Sequence, residues 1–89
     1  MKRVEFDKNF IKNYKRRIVP NTKLAVQFDE RFELFKMGWK GRPLNDHSLS
    51  HKMKGLRAFS VTGDVRVIYE ETRNAFIFRD IGTHNQVYR

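Results

Sequence analysis

The stretch Leu56–Ile81, LRAFSVTGDVRVIYEETRNAFIFRDI, decides the fold. Within it the apolar residues fall at a period of two, which predicts strands over Leu56–Val61, Val65–Glu70 and Ala75–Ile81. Thr62-Gly63-Asp64 joins the first two and Glu71-Thr72-Arg73-Asn74 the next two, so both connections are too short for a crossover. Strands joined this closely form an antiparallel meander. In the middle strand Val65, Val67 and Tyr69 share one face, while Asp64, Arg66 and Ile68 share the other. The wholly apolar set should face the core, leaving Arg66 on an open face of the sheet.

Working towards the N-terminus, residues 42–55 are polar and read as a loop. Ahead of them the period is helical. Leu24, Phe28, Phe32, Phe35 and Trp39 step by three or four, capped at the start by Asn21 or Thr22 and closed by Gly41 and Pro43. That aromatic stripe should be core. Phe10, Ile11, Tyr14 and Ile18 mark an earlier helix over Lys8–Val19, with Asp7 as its cap and Pro20 at its end. Val4-Glu5-Phe6 is a short strand that can join the edge of the same sheet. The predicted fold is α+β in two layers: one domain over residues 1–89, with an N-terminal strand and a helical hairpin packed on a mainly antiparallel sheet, in the order β-α-α-β-β-β. No repeat, low-complexity tract or linker interrupts it.

Eighty-nine residues allow one modest core, and eight Phe, three Tyr and one Trp supply much packing area for its size. The absence of cysteine excludes disulfides and Cys-ligated zinc, and fits a reducing cytoplasm. No apolar run approaches the ~20 residues of a membrane span. Nineteen Lys and Arg against ten Asp and Glu leave a net charge of +9, which points to a polyanionic or acidic partner. Through Pro43 there are twelve basic and five acidic residues, and beyond it seven and five. The excess charge therefore lies in the helical half.

The chemistry-bearing residues lie in the other half. His47, His51 and His84 have no companion at metal-ligand spacing on a helix, and no phosphate-binding glycine loop or nucleophile motif is present. Cleavage of RNA needs less. A base removes the proton of the ribose 2′-OH, an acid protonates the departing 5′-oxygen, and a cation offsets charge on the phosphorane. Histidine can play either proton-transfer role, and arginine can hold two phosphate oxygens. His47, His84, Asp64 and Arg66 are sufficient residue types if the fold gathers them; the competing reading is of histidines simply solvated in loops.

At this point the residues resemble a family. Pro43-Leu44-Asn45-Asp46-His47-Ser48-Leu49 is similar to the loop before the sheet in YafQ-like toxins, and Met53-Lys54-Gly55-Leu56-Arg57 resembles their W-K-G-Y-R segment. Gly63-Asp64-Val65-Arg66-Val67-Ile68-Tyr69 resembles the D-W-I-L-I-Y strand and the G-Y-R-L-V-Y strand of RelE. Gly82-Thr83-His84, with Tyr88 near the end, resembles the closing G-T-H and terminal aromatic. The resemblance to the RelE/YafQ family implies a type II toxin that cuts mRNA in the ribosomal A site, against ribosomal RNA, and is neutralised by a cognate acidic antitoxin. It implies no cofactor and no metal. By position it implies catalytic roles for His47, Asp64, Arg66 and His84, with RNA contacts from Lys52, Lys54, Arg57, Arg79 and Tyr88.

Three departures accompany the resemblance. Ser60 stands where YafQ-like toxins have a histidine, Val65 where they have tryptophan, and Asp80 where they have arginine. Arg79 is adjacent but points to the opposite face from position 80. Asp80 must pair with a cation such as Arg57 or Arg66, or the site differs from that of YafQ. Two alternatives follow: a ParE-like toxin that inhibits gyrase without cutting RNA, and a catalytically weakened member that keeps antitoxin binding.

Overall fold

The computed structural model describes residues 2–88. Strand β1 (Arg3–Phe6) leads into helices α1 (Lys8–Arg17) and α2 (Thr22–Lys36), then β2 (His47–Ser48), β3 (Arg57–Ser60), β4 (Val65–Glu71), β5 (Ala75–Thr83) and a final turn of helix, α3 (His84–Val87). The sheet order is β1-β5-β4-β3-β2. The three long strands form the expected antiparallel meander, and β1 lies parallel to β5 with Val4 opposite Phe76 and Phe6 opposite Phe78. The two-layer RelE-like α+β architecture read from the sequence is the one observed.

Local chemistry explains the helix limits. Asp7 accepts from the Phe10 N–H at 2.9 Å and Asn21 from the Leu24 N–H at 3.1 Å, so each helix starts on a side-chain cap. Lys15, Arg16 and Arg17 crowd the last turn of α1, where the helix dipole favours cations. Val19 lies beyond that end and is exposed, which shortens the predicted helix. Helix α2 also stops early. Gly38 takes φ +82°, its N–H donates to the Phe35 carbonyl at 3.0 Å, and the Trp39 N–H donates to Leu34 at 3.1 Å. These two bonds are a Schellman stop, so the helix ends at Lys36, five residues before Gly41. Trp39 is therefore off the helix and 51% exposed rather than in the core, with its indole N–H donating to the Arg42 carbonyl at 2.6 Å.

The main core lies between helices and sheet. Phe10, Phe28 and Phe35 from the helices meet Phe59, Val67, Tyr69, Phe78 and Ile81 from the strands. Phe35 sits at the centre, its ring 5.0 Å from those of Phe59, Tyr69 and Phe76. Val65, Val67 and Tyr69 face this core, as their alternation requires. A bulge in β5 moves the register from Ile68 opposite Asp80 to Tyr69 opposite Phe78, which leaves Arg79 as the extra residue.

The opposite face is less open than its sequence suggests. Ala58 and Ile68 are fully buried there beneath Leu49, Met53, Leu56, Val87 and Tyr88. The cover comes from residues 42–55, which contain β2 and a 3₁₀ turn over His51–Met53, and from α3. Two residues of strand are too few to display a period, so this fifth strand was not legible.

Candidate active site

The cover over that second face leaves a cleft of about 320 Å³ at its edge. His47, Arg66, His84 and Tyr88 line it, with Leu49, Ser50 and Met53 as walls. Three elements bring these polar groups together. His47 is carried by β2, where pairing with Ala58 places it beside the sheet. Arg66 comes from β4 on the face predicted for it. His84 opens α3, and Tyr88 follows one turn later with its ring 4.6 Å from that of His84.

The hydrogen bonds constrain what these groups can do. The Nδ1 of His47 lies 2.9 Å from the Asn45 carbonyl, an acceptor only, so Nδ1 carries the proton and Nε2 of the neutral ring is left as the acceptor. One residue earlier, Asp46 has a fully buried carboxylate. It receives the Arg57 guanidinium at 2.8 Å and the Tyr69 hydroxyl at 2.5 Å. Burial, then the bond to Asp46, pushes the Tyr69 phenol well up from its ordinary range. Burial also raises the Tyr88 phenol, against the opposing charge of nearby Arg66.

Several predicted site residues are not gathered by the fold. Arg57 lies on the helix side with Asp46 and Tyr69, across the sheet from the cleft. Arg79 is held between Glu70 and Asp7. Asp64 stands outside the cleft lining, where its carboxylate accepts from the His84 N–H at 3.3 Å. Lys52 and Lys54 are exposed, and Lys52 lines a neighbouring concavity with Tyr88. Asp80 pairs with neither Arg57 nor Arg66. It turns towards α1, accepting from Asn13 at 2.7 Å and lying 3.5 Å from Arg17, and so places no carboxylate in the cleft. Ser50 and Met53 escaped the sequence reading because the 3₁₀ turn that aims them has no periodic signature. Asp46 was visible only as the neighbour of His47.

Among the described residues no three His, Asp or Glu side chains converge to hold a metal ion, and no helix is long and apolar enough to cross a membrane.

A five-stranded sheet backed by a helical hairpin, with two histidines and an arginine at a cleft on its other face, defines a small RelE-like toxin fold. The chain belongs to the YafQ family, bacterial toxins of type II toxin–antitoxin systems, whose family model matches residues 2–89. YafQ is a ribosome-dependent endoribonuclease toxin. Among solved structures the chain is similar to YafQ from E. coli strain BL21(DE3), at 22% identity, full coverage of both chains and a TM-score of 0.82. It is also similar to the E. coli DinJ–YafQ complex, at 23% identity, full coverage of both chains and a TM-score of 0.80. A copper-bound mutant toxin from Helicobacter pylori matches at 22% identity, 98% and 99% coverage and a TM-score of 0.82. No curated protein matches the chain significantly by sequence.

Proposed function

We propose that this toxin cuts mRNA in the ribosomal A site by general acid–base chemistry at the cleft. The observation that carries the reading is the convergence of His47, Arg66, His84 and Tyr88 on one concavity from three separate segments. The bond from Nδ1 to Asn45 selects the tautomer of the neutral imidazole whose Nε2 can accept, and that Nε2 of His47 serves as the base that takes the 2′-OH proton. The 2′-oxygen attacks phosphorus, and the bond to the 5′-oxygen breaks. His84 gives that oxygen its proton, leaving a 2′,3′-cyclic phosphate and a 5′-hydroxyl. Arg66 neutralises the non-bridging oxygens, and Tyr88 offers an aromatic face to a base. Asp64 orients the first turn of α3 and so the ring of His84. Two imidazoles supply acid and base, so no metal is called for. The 2′-OH requirement makes RNA the substrate.

Lys52 and Lys54 are placed to meet RNA backbone, whereas Arg57 and Arg79 act through their ion pairs in the fold. A net charge of +9 suits both ribosomal RNA and an acidic antitoxin, and the similarity to the DinJ–YafQ toxin–antitoxin complex supports the second partner. The toxin is expected to act in the cytoplasm, where both meet it.

Primer extension on a translated mRNA tests the reading. Wild type should leave codon-spaced cuts, and His47→Ala, His84→Ala and Arg66→Ala should each cut slower by roughly 10²-fold or more. No cuts from wild type would refute the nuclease. Cuts that persist in all three variants would refute the site.

A further inference from the structure

The cleft continues across Arg66 into a second concavity of comparable size, about 340 Å³. Arg66 lines both. Around the second one stand Arg31 from α2 and Arg42 from the segment after it, with Asn45, Ser60 and Gly63. Ser60 lies opposite Arg66 in the strand register, and its small side chain adds little bulk between the two spaces.

Arg3, Arg17, Arg57 and Arg79 are each paired with a carboxylate. Among the described residues Arg16, Arg31, Arg42, Arg66 and Arg73 are the arginines without a carboxylate partner, and three of them line this concavity. Arg31 makes only long contacts, 3.4 Å to the Pro43 carbonyl and 3.5 Å to that of Ser60. These steady the side chain without neutralising it. Two uncompensated guanidinium groups beside the arginine assigned to the scissile phosphate form a continuous track for a polyanion.

We propose that Arg31 and Arg42 form a phosphate subsite, holding the backbone of the RNA strand next to the scissile bond. The subsite rests on the nuclease reading of the adjoining cleft and extends it. It reads no base, because both groups present only charge and donors suited to phosphate oxygens. Its work is to register the strand so that the scissile phosphate meets Arg66.

The test uses ribosomes programmed with mRNAs in which one phosphodiester flanking the cut is replaced by a neutral methylphosphonate. Single-turnover cutting by wild type should slow roughly tenfold at one flanking position. The double variant Arg31→Gln/Arg42→Gln should cut slowly on the unmodified mRNA and lose less than about twofold from the same replacement. Because Arg31 also touches two carbonyls, Arg42→Gln is measured alone and should show part of the same insensitivity. The subsite is overturned if the variants keep the full methylphosphonate penalty, which would assign the pair to ribosomal RNA or to folding. It is equally overturned if wild type tolerates a neutral group at every flanking position. Absence of cutting by wild type removes the nuclease reading itself, and the subsite with it.

Discussion

Asp46 shows how much one side chain can decide. Its carboxylate is fully buried, yet it lies next to His47, whose ring is exposed at the cleft. Arg57 from β3 and Tyr69 from β4 hold it from the far side of the sheet, so the backbone bearing His47 is anchored to two strands at once. The Tyr69 phenol has its pKa raised above the ordinary value of 10.0 by burial and by Asp46. A group whose pKa is raised by folding contributes stability below the unfolded value and loses it as pH climbs towards the folded one. Wild-type stability should therefore fall from about pH 10 upward as unfolding releases the phenol proton. Tyr69→Phe should cost roughly 1–3 kcal/mol at neutral pH, because Asp46 loses a buried donor, and should flatten the alkaline decline. Urea melts of both proteins between about pH 8 and about pH 11 check this; parallel alkaline slopes would refute it. The Asp46–His47 dipeptide was legible in the sequence, but its anchoring was not, since Arg57 and Tyr69 lie 11 and 23 residues away.

At the scale of elements, α3 is the least self-sufficient. Four residues cannot sustain a helix alone. A reciprocal cap holds it: the Thr83 hydroxyl accepts from the Gln86 N–H, and the Gln86 side chain accepts from the Thr83 N–H at 2.8 Å. Val87 adds burial against Ala58 and Ile68. Gly82 leaves room for it just before, since a Cβ there would lie 2.7 Å from both the Arg17 guanidinium and the Gln86 side-chain oxygen and would make those side chains shift. Thr83→Ala should lower global stability by about 1 kcal/mol. Cutting should fall further, by roughly tenfold or more, because His84 and Tyr88 both ride on this turn. Thermal melts and cutting rates of the same preparation separate the two effects; a rate lost only in proportion to stability would contradict the positioning role. Element limits elsewhere were partly legible. Gly38 was a readable stop for α2, but the aromatic spacing continued to Trp39 and masked it.

For the whole molecule, charge and chemistry are divided between the halves of the chain. The helical half carries most of the excess of positive charge, while His47, Arg66 and His84 come from the sheet half. A broad basic surface speeds encounter with acidic partners more than it lengthens their stay. The association rate with the cognate antitoxin should fall by roughly tenfold or more between about 50 mM and about 500 mM salt, with a smaller change in dissociation. Stopped-flow mixing at several salt concentrations measures both, and a salt-independent association rate would remove electrostatic steering from the account.

The period-two strands, their tight connections, the side-chain caps at Asp7 and Asn21 and the facing of Val65, Val67 and Tyr69 were determined by the sequence itself. Each depends on neighbours within a few residues, through backbone geometry and alternation. Tertiary structure alone decided that residues 47–53 fold over the second face, that Arg57 and Asp80 turn to the helix side, and that Arg31 and Arg42 line one concavity with Arg66. Those outcomes depend on which distant surfaces bury each other and which charges are thereby brought within reach. Chain order does not encode such distances locally, so the residue types were visible while their meeting place was not.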